Sequence, residues 1–435
     1  MKKTKLVQAI LAAMVAMPMV AIASEAELMQ RLDKLAAELD KVKAELAATR
    51  QKTETVEKRQ EATAAGAAAA GAATATTSAA ATSGGPQTVV GGYGEINYNR
   101  PTKDASQART DVRRAIIGIQ HRFDDKTKLV GEFEWEHAVT SASDQGETAI
   151  EQLYVEREFN NGLRAKAGLF LIPAGLLNPN HEPIYYYGVE RNFVETAIIP
   201  STWREAGLGL SSTMDNGLTW DIGVTTGFDL TKWDAASEDG RESPLGSIHQ
   251  EGQLAKSRNL SIHGALNWRG VPGLLVGGSV FTGKVGHATA GFAAPDSRLS
   301  IWDLHARYNP GRWDLSAVYA RGTISDTDAL NLTFVGEPTP VPSSFYGWYG
   351  QAAYQAWKST DYTLTPFIRY EQFNTAKSYA AVPAGLGVAT GPDEKVATIG
   401  ANLKVGEGVV LKADYQKFRE DSARDRVNLG VGYAF

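Results

Sequence analysis

The chain has 435 residues, a formal net charge of −5 and no cysteine, which excludes a disulfide framework, a thiolate metal centre and cysteine catalysis. Lys and Arg number 44 against 49 Asp and Glu, so no general attraction to nucleic acid is expected. No later stretch approaches the roughly 18 continuous apolar residues of a spanning helix, so a membrane form would have to be a closed β-barrel, the other architecture that satisfies every backbone amide in lipid.

Residues 1–23, "MKKTKLVQAILAAMVAMPMVAIA", combine Lys2, Lys3 and Lys5 with an apolar run and a small-x-small site at Ala21, Ile22 and Ala23. They read as a cleaved secretory signal ending before Ser24 rather than a membrane anchor, because the run is short and Pro18 interrupts it. Loss of its three lysines takes the formal charge from −5 to −8.

Residues 24–60 are rich in Ala, Glu, Lys and Leu. Leu32, Leu39 and Leu46 recur every seven residues, as do Leu28, Leu35 and Val42, which is a coiled-coil seam of about three heptads. A lone amphipathic helix would show the same face, but so short a helix is marginal by itself in water. Residues 61–87, almost wholly Ala, Gly, Thr and Ser, read as a linker.

From Thr88 the composition turns to alternating strands. Sixteen are expected, at residues 88–100, 111–124, 127–139, 149–160, 162–175, 203–212, 217–228, 258–269, 273–284, 298–309, 312–325, 344–357, 361–374, 394–406, 409–420 and 424–435. Tight links such as "DDKT", "NNG", "MDNG" and "GEG" alternate with long ones. That is the signature of a transmembrane antiparallel up-and-down barrel with short turns on one rim and loops on the other. The faces agree. "LTWDIGVTTGF" sets Leu218, Trp220, Ile222, Val224 and Phe228 against Thr219, Asp221, Gly223 and Thr225.

With the apolar face in lipid, the charges of the other face line a lumen. Strand two offers Arg114 and Arg122, strand three Glu132, Glu134 and Glu136, strand four Glu156 and Glu158, and strand five Arg164 and Lys166. Further round lie Arg269, Arg307, Arg369, Lys404, Lys412, Arg424 and Arg426, with His263, Asp303, His305, Glu371 and Asp414. Glu156 and Glu158 should face Lys166 and Arg164 across one pair. Such charges either stiffen the wall as ion-pair ladders or set up a field that orients solutes. Their signs nearly cancel.

The third long link, "LLNPNHEPIYYYGVERNFVETAIIPSTW", is too rich in aromatics, Pro and Ile to be a bare surface tip. Folded into the lumen, it would bring Glu182, Glu190, Arg191 and Glu195 to a constriction. Packed over the rim or on a neighbouring subunit, it would not. The seven histidines show no pair at metal-binding spacing, so no metal site or cofactor is expected. No nucleophile elbow, phosphate-cradling loop or calcium loop is present either, and the chain does not read as an enzyme.

The segments "KAGLFLIPAGLLNP", "GVERNFVETAIIPSTWREAGLGLSS" and the closing "NLGVGYAF" resemble the phosphate-selective porins O and P and their Gram-negative outer-membrane relatives. The resemblance implies a homotrimer of sixteen-stranded barrels in outer-membrane lipid, an inward-folded third loop, and passive uptake of anions, phosphate among them. It also implies that the terminal Phe435 is read by the barrel-insertion machinery. In the matching loop Arg191 stands against three glutamates, so the preference between anions and cations stays open. The expected function is an outer-membrane porin for small hydrophilic solutes and ions, with the coiled coil in the periplasm. The alternative is a structural barrel whose coiled coil tethers the membrane to peptidoglycan.

Overall fold

The computed structural model describes residues 87–160, 162–383 and 386–435. The expected signal, heptad helix and all but the last residue of the linker lie outside them. Gln87 opens the first strand.

The described chain is one antiparallel sheet. Its strands are β1 (Gln87–Pro101), β2 (Arg109–Arg122), β3 (Thr127–Glu136), β4 (Glu147–Glu158), β5 (Leu163–Leu171), β6 (Arg204–Thr213), β7 (Leu218–Thr225) and β8 (Ser261–Trp268). They continue as β9 (Leu274–Lys284), β10 (Arg298–Tyr308), β11 (Trp313–Ile324), β12 (Pro342–Tyr354), β13 (Tyr362–Tyr379), β14 (Glu394–Val405), β15 (Val409–Phe418) and β16 (Arg426–Ala434). A two-residue segment, Trp357–Lys358, continues β12 and pairs with the same neighbour, β13. The staves therefore number sixteen.

The sheet closes on itself. β16 pairs with β1 from Tyr93↔Ala434 to Pro101↔Arg426, and Gly92 and Phe435 exchange backbone hydrogen bonds of 3.1 and 2.9 Å. No edge is left to recruit another chain. Every connection at the rim that holds Gln87 and Phe435 is tight, and every long one lies at the other rim. Even the last link, residues 419–425, belongs to the loop rim.

Alternation puts an apolar belt outside: Ile117, Ile222, Val224, Leu266, Ile368, Ile399, Leu429 and Phe435 are all exposed. On a soluble protein so wide a patch would drive association. Around a closed barrel it is the face that lipid requires.

The interior departs from the uniformly polar wall that the pattern suggests. Towards the loop rim, inward residues of β9 to β15, including Phe281, Leu299, Ile301, Val318, Phe345, Phe373 and Phe418, form one apolar core with Ile172, Ile198 and Trp203 of the third loop and Leu230, Leu245 and Ile248 of the fourth. Phe228, expected on the lipid face, lies beyond the end of β7, fully buried in this core against Trp203 and Phe281. Arg424 is also displaced from its expected place. It sits in the 3-10 turn Ser422–Arg424 before β16, exposed and paired with Glu394 at 2.8 Å.

Two bulges alter the facing on the opposite wall. The β1–β2 register shifts after Glu95, leaving Arg113 without an opposite residue. The β3–β4 register shifts after Glu132 and leaves Glu151 so placed. A bulge re-aims the side chain it carries. Glu151 and Gln152 are consequently both buried, neighbours in sequence with neither on the lipid face.

Candidate solute pathway and its constriction

The third loop, residues 172–203, leaves β5 and crosses the interior to the far wall. The backbone N–H of Val189 donates to Asp414 on β15 at 2.6 Å, and that of Phe193 to Glu371 on β13 at 2.7 Å. Asn402 on β14 donates to the Tyr186 carbonyl, and Arg369 on β13 to that of Tyr187, each at 3.0 Å. The Tyr187 hydroxyl donates to Asp314 on β11 and the Gly175 N–H to Asp303 on β10. Pro183 packs where a Cβ on Gly432 of β16 would meet it at 2.5 Å. An irregular segment cannot satisfy its own backbone, so these wall groups hold it inside the barrel.

The four loop charges take different places. Glu190 accepts from Asn97 and Asn99 of β1 at 3.1 and 3.0 Å. Arg191 donates to Ser201 and to the His181 carbonyl. Glu182 is 5% exposed. Glu195 is turned into the loop itself, where the N–H groups of Leu176 and Leu177, the Asn192 amide and the Tyr349 hydroxyl all donate to it within 2.9 Å. It acts as a clamp rather than as a charge facing an opening.

On the wall, Glu132, Glu134 and Arg114 are deeply buried towards the loop rim, and Arg114 reaches Glu95 at 2.9 Å, Glu134 at 3.2 Å and Glu136 at 3.7 Å. Arg369 pairs with Glu371 at 2.8 Å. Lys412 lies 3.5 Å above the Tyr186 ring. Arg426 donates to Gln416 at 2.7 Å with its guanidinium 5.9 Å from the Phe193 ring. Arg122 shares the face of Arg114 but is exposed at the turn rim.

Below the loop, towards the tight turns, opens a cavity of about 170 Å³. The register sets Glu156 opposite Lys166 and Glu158 opposite Arg164. The ion pairs nonetheless run elsewhere: Lys128 to Glu156 and Lys166 to Asp221, each at 3.0 Å. Four basic side chains, Lys128, Arg164, Lys166 and Arg269, line the cavity against two acidic ones, Glu156 and Asp221. Each acid is paired with one of these four bases, so the lining carries a formal excess of positive charge. A smaller space of about 40 Å³, lined by Arg307 and Arg369, lies on the other side of Leu176 and Asn180. Arg307 is tied to Asp314 at 2.5 Å, and Lys404 lies on the inward face of β14 nearby, within electrostatic reach of both.

Fold and site together define a closed sixteen-stranded antiparallel barrel with an apolar outer belt and a loop folded into its interior. OmpF of Salmonella typhi, solved as a complex with daunomycin, superposes with a TM-score of 0.54 at 16% identity, over 81% of this chain and 98% of that one. The outer-membrane channel DcaP of Acinetobacter baumannii gives 0.51 at 12% identity, over 81% and 98%. These likenesses establish the fold. No family model matches the chain. An uncharacterized protein of Aquifex aeolicus (strain VF5) is 30% identical over 342 residues, 76% of this chain and 75% of the relative, and this chain belongs to the same family as that protein.

Proposed function

We propose that the protein is an outer-membrane channel for passive diffusion of small hydrophilic solutes and ions, narrowed by its third loop and preferring anions, phosphate among them. The observation that carries the preference is the turn-side cavity, where four basic side chains outnumber two acids, each of which is paired with one of the four. A low-dielectric wall focuses such a field on a passing ion. The glutamates of β3 do not cancel it at that depth, because Glu132 and Glu134 are sealed from solvent towards the loop rim.

In this reading the barrels assemble as a homotrimer, with Phe435 recognised during insertion and the heptad segment on the periplasmic side. Deleting residues 25–60 should leave conductance intact if that segment only tethers the barrel to peptidoglycan, and should weaken the oligomer if it clamps three barrels. Removing Phe435 should sharply lower the yield of inserted protein.

The charge preference is tested by reversal potential in planar bilayers under a KCl gradient. Anion preference is expected, with chloride current reduced by added phosphate. A clear cation preference would overturn the anion assignment.

A further inference from the structure

We propose that Glu132, Glu151 and His181 form a binding site for one divalent transition-metal ion, Zn²⁺ by preference, which fastens the third loop to β3 and β4, away from its Asp414 anchor on β15. One ligand atom from each lies within 4.8 Å of the others. The residues come from β3, from the bulge of β4, and from the loop just after the 3-10 turn Asn178–Asn180. They are 1%, 0% and 2% exposed.

Donor and acceptor accounting carries the argument. His181 Nδ1 lies 2.9 Å from the Asn178 carbonyl, which only accepts, so Nδ1 carries the hydrogen and the neutral ring presents a lone pair at Nε2. That Nε2 is buried without a hydrogen-bond partner and lies 3.8 Å from Glu151 Oε2. Glu132 Oε1 is likewise buried and unpartnered. Two unpartnered acceptors, His181 Nε2 and Glu132 Oε1, therefore converge with Glu151 Oε2, whose hydrogen bond comes from the Tyr93 hydroxyl. A cation is what such a point lacks.

The surrounding groups are arranged as a metal's outer partners would be. Gln152 donates to Glu132 Oε2 at 2.6 Å, Thr202 to Glu151 Oε1 at 2.7 Å and the Tyr93 hydroxyl to Glu151 Oε2 at 3.0 Å. The neighbouring cations are engaged elsewhere: Arg114 with Glu95 and Glu134, Arg191 with Ser201 and a carbonyl. One imidazole nitrogen with two carboxylate oxygens suits Zn²⁺ better than Ca²⁺ or Mg²⁺, which take oxygen alone. Histidine spacing gives no hint of the site, because a single histidine is joined to glutamates of two other elements.

The test uses the full-length protein folded in detergent, stripped with a chelator and titrated with Zn²⁺ alone, with retained metal counted after gel filtration. One Zn²⁺ per barrel is expected. Glu132→Gln, Glu151→Gln and His181→Asn should each weaken binding by at least about tenfold, while Glu156→Gln in the turn-side cavity should leave it unchanged. Heat-modifiable gel mobility reports folding of each variant. Should the carboxylate variants fail to fold, His181→Asn, on a loop, carries the test. If the carboxylates instead share a proton, the stripped wild type takes up no stoichiometric Zn²⁺ at neutral pH, and the proposal is overturned. Equal binding by wild type and His181→Asn overturns it as well.

Discussion

The backbone N–H of Val189 donates to the carboxylate of Asp414 at 2.6 Å, across 225 residues of sequence. Asn428 on β16 donates to the other oxygen of Asp414, also at 2.6 Å. The third loop is thus tied to the β15–β16 pair, where Asp414 stands opposite Asn428 near the end of the chain. Removing the acceptor leaves a buried N–H and a buried amide unsatisfied, at about 1–3 kcal/mol each. Asp414→Ala should therefore raise amide exchange across residues 186–192 without unfolding the barrel. Exchange equal to wild type would mean that the loop is held by other contacts.

Glu195 predicts a larger effect. Its four donors come from the loop and from β12. Glu195→Ala should destabilise the loop by several kcal/mol, since each orphaned donor costs about 1–3 kcal/mol. Tyr349→Phe removes one hydrogen bond and should cost about 1 kcal/mol. Thermal unfolding of the two variants should rank them in that order, and a reversed order would reject the clamp.

Asp393, at the end of the loop that follows β13, gives a pH dependence. Burial works to raise its pKa, but hydrogen bonds from Tyr346, Asn374 and Lys377 outweigh it and hold the carboxyl at about 2. A folded pKa below the unfolded value contributes stability that is full above the unfolded value and is lost as pH falls through the folded one. Exchange in residues 386–393 should rise between about pH 4 and pH 2. Asp393→Asn should flatten that rise.

The turn-side cavity makes an electrostatic prediction. Arg164→Glu combined with Arg269→Glu exchanges two positive lining charges for negative ones, so the reversal potential should move towards cations. The shift should shrink at high salt, where charges more than about 3 Å apart are screened at 1 M. An unmoved potential would place selectivity elsewhere in the barrel.

Much of the barrel was legible because strand period and turn chemistry are local. All sixteen staves lie where alternation puts them, and the pairing of the terminal strand with β1 follows from closure. The misses have long-range causes. Alternation says that Glu151 faces lipid, and only the bulge opposite Glu132 and Phe133 turns it inward. Phe228 continues the apolar parity of β7 but lies past the strand end, where the loop core claims it. Arg424 was assigned to a strand that starts two residues later, at Arg426. Glu195 carries the charge of a constriction residue, but its four donors lie up to 154 residues away, and no spacing along the chain reports them.

The central claim is that this barrel conducts through a path narrowed by its third loop. Single-channel recording in planar bilayers tests it most directly, comparing the wild type with a variant in which residues 183–190 are replaced by a short glycine–serine bridge. Discrete steps from the wild type and larger steps from the variant are predicted. Steps of equal size, or no channels from correctly folded wild type, would contradict the account.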